Sequence, residues 1–349
     1  MNTNNNNQII NYDVVCLGNP LMDMTIDVDD AFLDKAKLKK GTMTLIDDAK
    51  HAALLHAIAN KKTFRSTGGS ASNTANGVSV LGGKSAFIGM IGKDAIGDQY
   101  KKLLIESKVL PLVATYTNKD KETGLSMVFI TPDKERTMAT YLGAALEFSE
   151  ENITNEIEEV IKNSKVLHIE GYFIELEKNF KAVLKAMKIA KDNNVKISMD
   201  LSDPGLIQRK NVLLNEIMKD YIDIVFVNEN EAKAFTGFEE LDAAHALSKY
   251  CDVSVVKLGS KGSIIKHVDK KNKKESIHNI LIHKVEVVNT NGAGDSYASG
   301  ILYSIANDIS FDKAGKIASY ISSRVVSIPQ ATLSSNVSLK DEVKKILEE

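Results

Sequence analysis

One stretch near the end of the chain, Asn289-Thr290-Asn291-Gly292-Ala293-Gly294-Asp295-Ser296, combines small residues, amides and a single carboxylate. It follows an apolar, β-branched run (Val285, Val287, Val288) and leads into residues with helical spacing: Ser296, Tyr297, Ala298, Ile301, Leu302 and Ile305. A small-residue loop entering a helix aims several backbone N–H groups at one spot, where the helix dipole also favours negative charge. Gly292 and Gly294 permit close approach to that backbone. An anion cradle beside a lone carboxylate suits phosphoryl transfer. The main chain holds developing phosphate charge, and Asp295 takes a proton from an attacking hydroxyl. The plain alternative is a helix entry with Asp295 as its N-terminal charge.

A second loop of the same kind lies far upstream. Phe64 to Gly69 reads as a strand ending in a glycine pair, and Ser70 to Leu81 reads as a helix of small residues. Gly68 and Gly69 thus form another helix-start site for an anion or a hydroxyl, with Asn73 one turn in. Gly83-Lys84-Ser85 imitates the end of a phosphate-binding P-loop. That motif also needs glycine where Val78 stands, and a strand rather than a helix before it.

These loops need a scaffold, and the chain supplies a regular one from Val166 onward. Strands are expected at 166–170, 195–200, 222–227 and 253–258, alternating with helices at 176–193, 211–219, 229–236 and 241–249. Continuous apolar strands alternating with helices imply a mostly parallel sheet covered on both faces. Tyr12 to Leu17 and Ser85 to Ile88 join it as buried strands. Ligands of such sheets bind beyond the carboxyl ends of the strands. Those ends fall at Asn19, Gly89 to Gly92, Glu170-Gly171, Asp200 to Ser202, Asn228 and Gly259, nearly all small or polar. Residues 21–64, and a hairpin over 124–142 turning at Pro132-Asp133-Lys134-Glu135, break this rhythm and form an accessory layer.

Composition bounds the reading. The 349 residues carry a formal net charge of −2, which removes a general pull toward nucleic acid or anionic lipid. The basic cluster Lys270 to Lys274 has no interleaved aromatics and reads as a solvated hairpin tip. The two cysteines, Cys16 and Cys251, form no CxxC pair and fit a reducing, cytoplasmic compartment. No apolar run reaches membrane-spanning length, and no leader pattern opens the chain.

Two separated patterns then resemble the ribokinase-like sugar and nucleoside kinases of the PfkB family. The first is Gly68-Gly69-Ser70-Ala71-Ser72-Asn73-Thr74-Ala75 followed by Gly82 and Gly92; the second is Asn289 to Asp295 followed by Ser299-Gly300-Ile301-Leu302. Within that family the chain is most similar to the adenosine kinases, through Gly18-Asn19-Pro20-Leu21-Met22-Asp23, Thr290-Asn291-Gly292 and Glu170-Gly171-Tyr172-Phe173. The resemblance implies a three-layer α/β/α domain over residues 10–20, 65–120 and 142–349, a small β-rich lid over 21–64 and 121–141, and a disordered tail over 1–9. It implies ATP-dependent phosphorylation of a nucleoside 5′-hydroxyl, adenosine first, with inosine, guanosine or a sugar as alternatives. It implies Mg²⁺ and a single-chain enzyme, with a homodimer as the alternative, and no nucleic-acid or membrane partner.

The resemblance also distributes roles. Asp295 would be the base, with Gly292, Ala293 and Gly294 holding the migrating phosphate and Arg136 bringing charge when the lid shuts. Asn19, Asp23, Gly68, Gly69, Asn73, Met138, Tyr172 and Phe173 would surround the acceptor. Lys257, Gly259, Gly262, Asn228 and Asn291 would flank ATP, with Asn228 and Glu231 positioning Mg²⁺ through water. Plainer roles stay open. Asp23 could be an exposed strand residue, Asn228 and Glu231 a helix cap, Arg136 a turn residue paired with Glu135 or Asp133, and Tyr172 and Phe173 core aromatics. Three departures stand out: Asn289 where Asp is common, which bears on any K⁺ dependence; Lys257 where Thr is common; and Gly205 where adenosine kinases often carry a Phe against the base. A non-catalytic nucleoside sensor with the same fold is a further alternative, disfavoured by the intact Asp295 loop.

Overall fold

The computed structural model describes residues 11–349. The tail expected over residues 1–9 lies outside the described residues. The strands, in chain order, are β1 (Tyr12–Leu17), β2 (Leu21–Asp27), β3 (Met43–Leu45), β4 (Thr63–Gly68), β5 (Ser85–Gly92), β6 (Val109–Tyr116), β7 (Gly124–Ile130), β8 (Arg136–Tyr141), β9 (Ser164–Glu170), β10 (Lys196–Asp200), β11 (Ile224–Asn228), β12 (Val253–Lys257), β13 (Ser263–Asp269) and β14 (Lys274–Ile280). They form a nine-stranded sheet of order β14-β13-β12-β11-β10-β9-β1-β5-β6 and a five-stranded sheet of order β3-β8-β7-β2-β4.

The large sheet is parallel from β12 to β6, and β13 and β14 add an antiparallel hairpin at one edge. Side chains on its central strands alternate between two cores. Val15 and Leu17 of β1, with Ala86 and Ile88 of β5, pack into the core that carries helix Glu177–Asp192. Val14, Cys16 and Phe87 pack into the other, against helices Ser70–Val80 and Ala293–Ala306. Both faces of these strands are dry, which explains their unbroken apolar runs. Each fully buried side chain of this size contributes about 1.5–3 kcal/mol, so a charge at Val15 would be among the costliest changes.

Parallel direction puts the carboxyl ends of β1, β5, β9, β10, β11 and β12 on one edge, as expected from the sequence. The smaller sheet hangs from this edge through short junctions: Gly18-Asn19-Pro20 links β1 to β2, and Gly69 links β4 to helix Ser70–Val80. In it β2 pairs antiparallel with β4 and parallel with β7, and β7 pairs with β8 through the expected hairpin at 132–135.

Several elements differ from the sequence expectation. The β-branched run before Asn289 forms no strand. Val287 is 62% exposed, and the segment is tied down by the Val288 and Asn289 N–H groups donating to the Val326 carbonyl. The loop expected at Ser202 to Gly205 turns directly into helix Pro204–Arg209. Asp203 caps it by accepting from the Leu206 N–H, and Pro204 stands at its first turn. Strand β6, which has no counterpart among the sequence expectations, carries Pro111; as a sheet-edge strand it can lack that N–H. The lysines at 270–273 do sit at an exposed hairpin tip between β13 and β14.

Candidate active site

Gly292 opens the turn before helix Ala293–Ala306 with φ of 74°, a left-handed conformation that suits glycine. A side chain there would also strike the Ala331 carbonyl, so the turn lies against the C-terminal segment with no space between. Helix Ala293–Ala306 starts from it. The Ala293 N–H is turned back to the Thr290 carbonyl at 3.2 Å, and the Ser296 N–H to the Gly292 carbonyl at 2.9 Å. Between them, the Gly294 and Asp295 N–H groups have no acceptor among the described residues. The sequence expectation had paired Ala293 with Gly294 as phosphate donors. The free pair is shifted by one residue.

Asp295 is held at both oxygens. Ser70 Oγ donates to Oδ1 and Asn73 Nδ2 to Oδ2, each at 2.8 Å, so the two glycine-rich motifs meet on one carboxylate. Burial pushes the Asp295 pKa up, and the Asn73 and Ser70 bonds restrain the rise. Asn73, expected around the acceptor, therefore touches the acid itself. Ser70 was not singled out, although its place after the glycine pair was a readable signal.

Asp23 faces the same space from β2. Burial raises its carboxyl to about 7; the Asp295 charge adds to the rise and Arg136 opposes it. Gly68 on β4 pairs with Leu21, and a side chain there would collide with the Asp23 carboxylate. Gly69 has φ of 90°, and a side chain on it would meet the Asn19 carbonyl. Arg136, at the start of β8, donates from Nη2 to the Pro329 carbonyl at 2.7 Å, and does not pair with Glu135 or Asp133 through its side chain. The Asn289 Nδ2 donates to the same carbonyl at 3.1 Å, and Asn289 Oδ1 accepts from the Asn291 N–H at 2.9 Å. Asn291 in turn reaches Met138 Sδ at 3.7 Å, so both Arg136 and Met138 bring the smaller sheet against the anion loop.

Glu170 ends β9 beneath the junctions. It accepts from the Asn19 N–H at 2.9 Å, from the Asn19 side-chain amide, and from the Ala71 N–H at 3.1 Å. Burial holds its carboxyl up at about 7 against those donors. It fixes Asn19 and the start of helix Ser70–Val80 together, a positioning role that no sequence spacing marked.

The edge formed by β10, β11 and β12 carries a charged cluster. Lys257 Nζ lies 2.7 Å from Asp200 Oδ2. Asn228 and Glu231 form a reciprocal helix cap: Asn228 N–H donates to Glu231 Oε2 at 2.8 Å, Asn228 Nδ2 to Oε1 at 2.5 Å, and the Glu231 N–H to Asn228 Oδ1 at 2.9 Å. Burial and the nearby Asp200 push the Glu231 pKa up. Gly259 is exposed with open space around it, while Gly262 is packed on the Ile280 carbonyl. Tyr172 is half-buried, with its hydroxyl donating to the Ser202 carbonyl at 3.3 Å. Phe173 requires correction: it is 1% exposed and packed on Phe148 with ring centroids 5.5 Å apart, so it belongs to the core and offers no face to a ligand.

A two-sheet α/β fold, with a free pair of helix-start N–H groups beside a tethered acid, defines a class of phosphate-handling proteins. The pfkB family carbohydrate kinase profile matches residues 43–337, and the chain belongs to that family. A crystal structure of adenosine kinase from Sinorhizobium meliloti superposes with a TM-score of 0.83 at 30% identity, covering 96% of this chain and 99% of that one. A structure of a probable sugar kinase from Rhizobium etli gives 0.82 at 30% identity, covering 96% and 98%. Adenosine kinase of Saccharomyces cerevisiae is 29% identical over 304 residues, which cover 83% of this chain and 87% of the yeast protein.

Proposed function

We propose that the chain transfers the γ-phosphoryl group of ATP to the 5′-hydroxyl of a nucleoside, adenosine first. The observation that carries this reading is the Asp295 carboxylate, gripped by Ser70 and Asn73 within one residue of the free Gly294 N–H. A primary alcohol is a weak nucleophile, and a carboxylate taking its proton accelerates attack by about 10²–10⁴. The raised pKa of Asp295 makes it a better proton acceptor than an ordinary aspartate. The Gly294 and Asp295 N–H groups and the helix dipole hold charge on the migrating group, and Arg136 adds charge from the smaller sheet. Asp23 accepts hydrogen bonds from the ribose hydroxyls, and Glu170 keeps Asn19 and helix Ser70–Val80 in place around the sugar. Seating the smaller sheet on the loop at Asn291 and Pro329 excludes water that would compete for the phosphate.

The donor set suits a divalent cation that arrives with the nucleotide. Asp200, Glu231 and Asp295 all act on Lys257, an excess of negative charge around it that would repel a bare triphosphate. Among the described residues no three His, Cys, Asp or Glu side chains form a metal cage. Mg²⁺ would therefore keep phosphate oxygens and water as its main ligands, with Glu231 and Asn228 beyond that water, and would supply charge neutralisation at the β- and γ-phosphates. K⁺ is not required by this reading, because Asn289 carries no charge and both ends of its amide are engaged. The enzyme is read as a single-chain, cytoplasmic protein; both cysteines are free and buried. Among the described residues no helix is long and apolar enough to cross a membrane.

A sugar acceptor is the second reading. Gly205 and the burial of Phe173 leave the base without two expected aromatic walls, each worth on the order of 1 kcal/mol. A panel of adenosine, inosine, guanosine, ribose and fructose, followed by acceptor-dependent ADP formation, decides between them. Adenosine should give the highest kcat/KM. A free sugar outranking every nucleoside would establish the second reading, and ATP-independent binding without turnover would remove both.

A further inference from the structure

Lys257 ends β12 directly before Leu258-Gly259 and comes close to the anion turn. An atom at the Cβ position that Gly294 lacks would lie 3.2 Å from Lys257 Nζ. The ammonium thus stands over the bare face of Gly294, beside the residue whose N–H has no acceptor. Only 16% of the Lys257 side chain is exposed, and its bonded partner is Asp200 Oδ2, 2.7 Å away. Burial alone would lower its pKa, but Asp200, Glu231 and Asp295 outweigh burial and keep the group charged. Asp200 is itself fixed, since its Oδ1 accepts from the Ser202 N–H at 2.9 Å. Glu231 is fixed by its cap with Asn228. A charged group in a rigid, partly dry frame next to an anion cradle acts strongly on charge that appears there, because few dipoles must reorganise.

We infer that Lys257 is a catalytic residue whose ammonium, retained by Asp200, contacts the γ-phosphoryl group during transfer. This deepens the kinase reading and rests on it. In the step, the 5′-oxygen forms a bond to the γ-phosphorus and the bond from that phosphorus to the β–γ bridging oxygen breaks. The electron pair of that bond leaves on ADP, and the hydroxyl proton goes to Asp295. Lys257 neither gives nor takes a proton. It offsets negative charge on the equatorial oxygens, and Asp200 is a positioning residue that keeps it on the Gly294 side of the cleft. Gly294 is glycine for a matching reason: a side chain would occupy the path from the ammonium to the phosphate.

The test uses the full chain and the variants Lys257→Met, Lys257→Arg and Lys257→Met/Asp200→Asn. The double variant removes the uncompensated carboxylate and serves if the single methionine variant does not fold. Two quantities are read: kcat with the best acceptor, and the ratio of ATP to ADP affinity by calorimetry in the presence of Mg²⁺. The methionine variant should lose on the order of 10² in kcat, as for loss of one preorganised donor, with acceptor KM held. Its preference for ATP over ADP should shrink while ADP affinity stays, and arginine should restore part of both. A folded variant retaining kcat within about twofold of wild type, or weakening ATP and ADP equally, overturns the inference. If the wild-type chain turns over no acceptor, the kinase reading fails, and the ATP-to-ADP ratio still judges Lys257 by itself.

Discussion

Asn73 Nδ2 and Asp295 Oδ2 lie 2.8 Å apart although 222 positions separate them in the chain. With Ser70 on the other oxygen, the first glycine-rich motif becomes the support of the second. The acid is therefore oriented by helix Ser70–Val80, which on the proposed reading also borders the acceptor.

Asp295→Asn keeps the size of the side chain and removes its ability to take a proton. Turnover should fall by at least about 10² with acceptor affinity nearly intact. Steady-state kcat together with equilibrium acceptor binding checks it. Unchanged turnover would remove the base from the mechanism.

The donors on Asp295 also set its pH dependence. The base works deprotonated, so kcat falls as pH drops through its pKa, which burial has raised. Ser70 and Asn73 favour the charged form. Asn73→Ala should push the pKa higher still and move the acidic fall of kcat toward neutral pH; Ser70→Ala should do the same. A kcat–pH profile whose acidic limb stays put, or moves to lower pH, contradicts the assignment.

The carboxyl of Asp23, raised to about 7 by burial and the Asp295 charge, reads the ribose hydroxyls on the proposed reading. Asp23→Ala should weaken nucleoside binding by about 1.5–3 kcal/mol, the range for a hydrogen bond to a charged group. The ratio of kcat/KM for ribo- and 2′-deoxynucleosides should fall toward one. If the variant discriminates between them as the wild type does, Asp23 does not touch the sugar.

Gly294→Val places a branched side chain against the Lys257 ammonium and over the free N–H groups. The atoms within reach belong to the Lys257 side chain and none to the backbone, so the fold should survive. Thermal unfolding should be near that of wild type while phosphoryl transfer is lost. Full activity in a folded variant would leave the anion cradle without a role.

The sequence announced the parallel sheet because the centres of β1, β5 and β9 to β12 are buried on both faces and so are mostly apolar. The two glycine motifs were legible for a different reason: close contacts at Gly68 and Gly292 tolerate no side chain. What stayed hidden depends on partners distant in the chain. Glu170 reads as an ordinary strand-end acid until Asn19 and Ala71 close on it. Phe173 follows a motif that suggested a ligand wall, yet Phe148 draws it into the core. The run 285–288 has strand-like composition, but no strand pairs with it, and its backbone is tied instead to the Val326 carbonyl.

The junctions at Gly18-Asn19-Pro20 and Gly69 join the smaller sheet to the larger one, and both touch Glu170 or the residues it fixes. Any swing of that sheet must bend the backbone at these two places. Bending there would carry Asp23 with the sheet, whereas Ser70 and Asn73 belong to helix Ser70–Val80, which packs on the larger sheet and keeps its hold on Asp295. On the proposed reading, such a movement would part the acid that reads the sugar from a proton acceptor that stays in place.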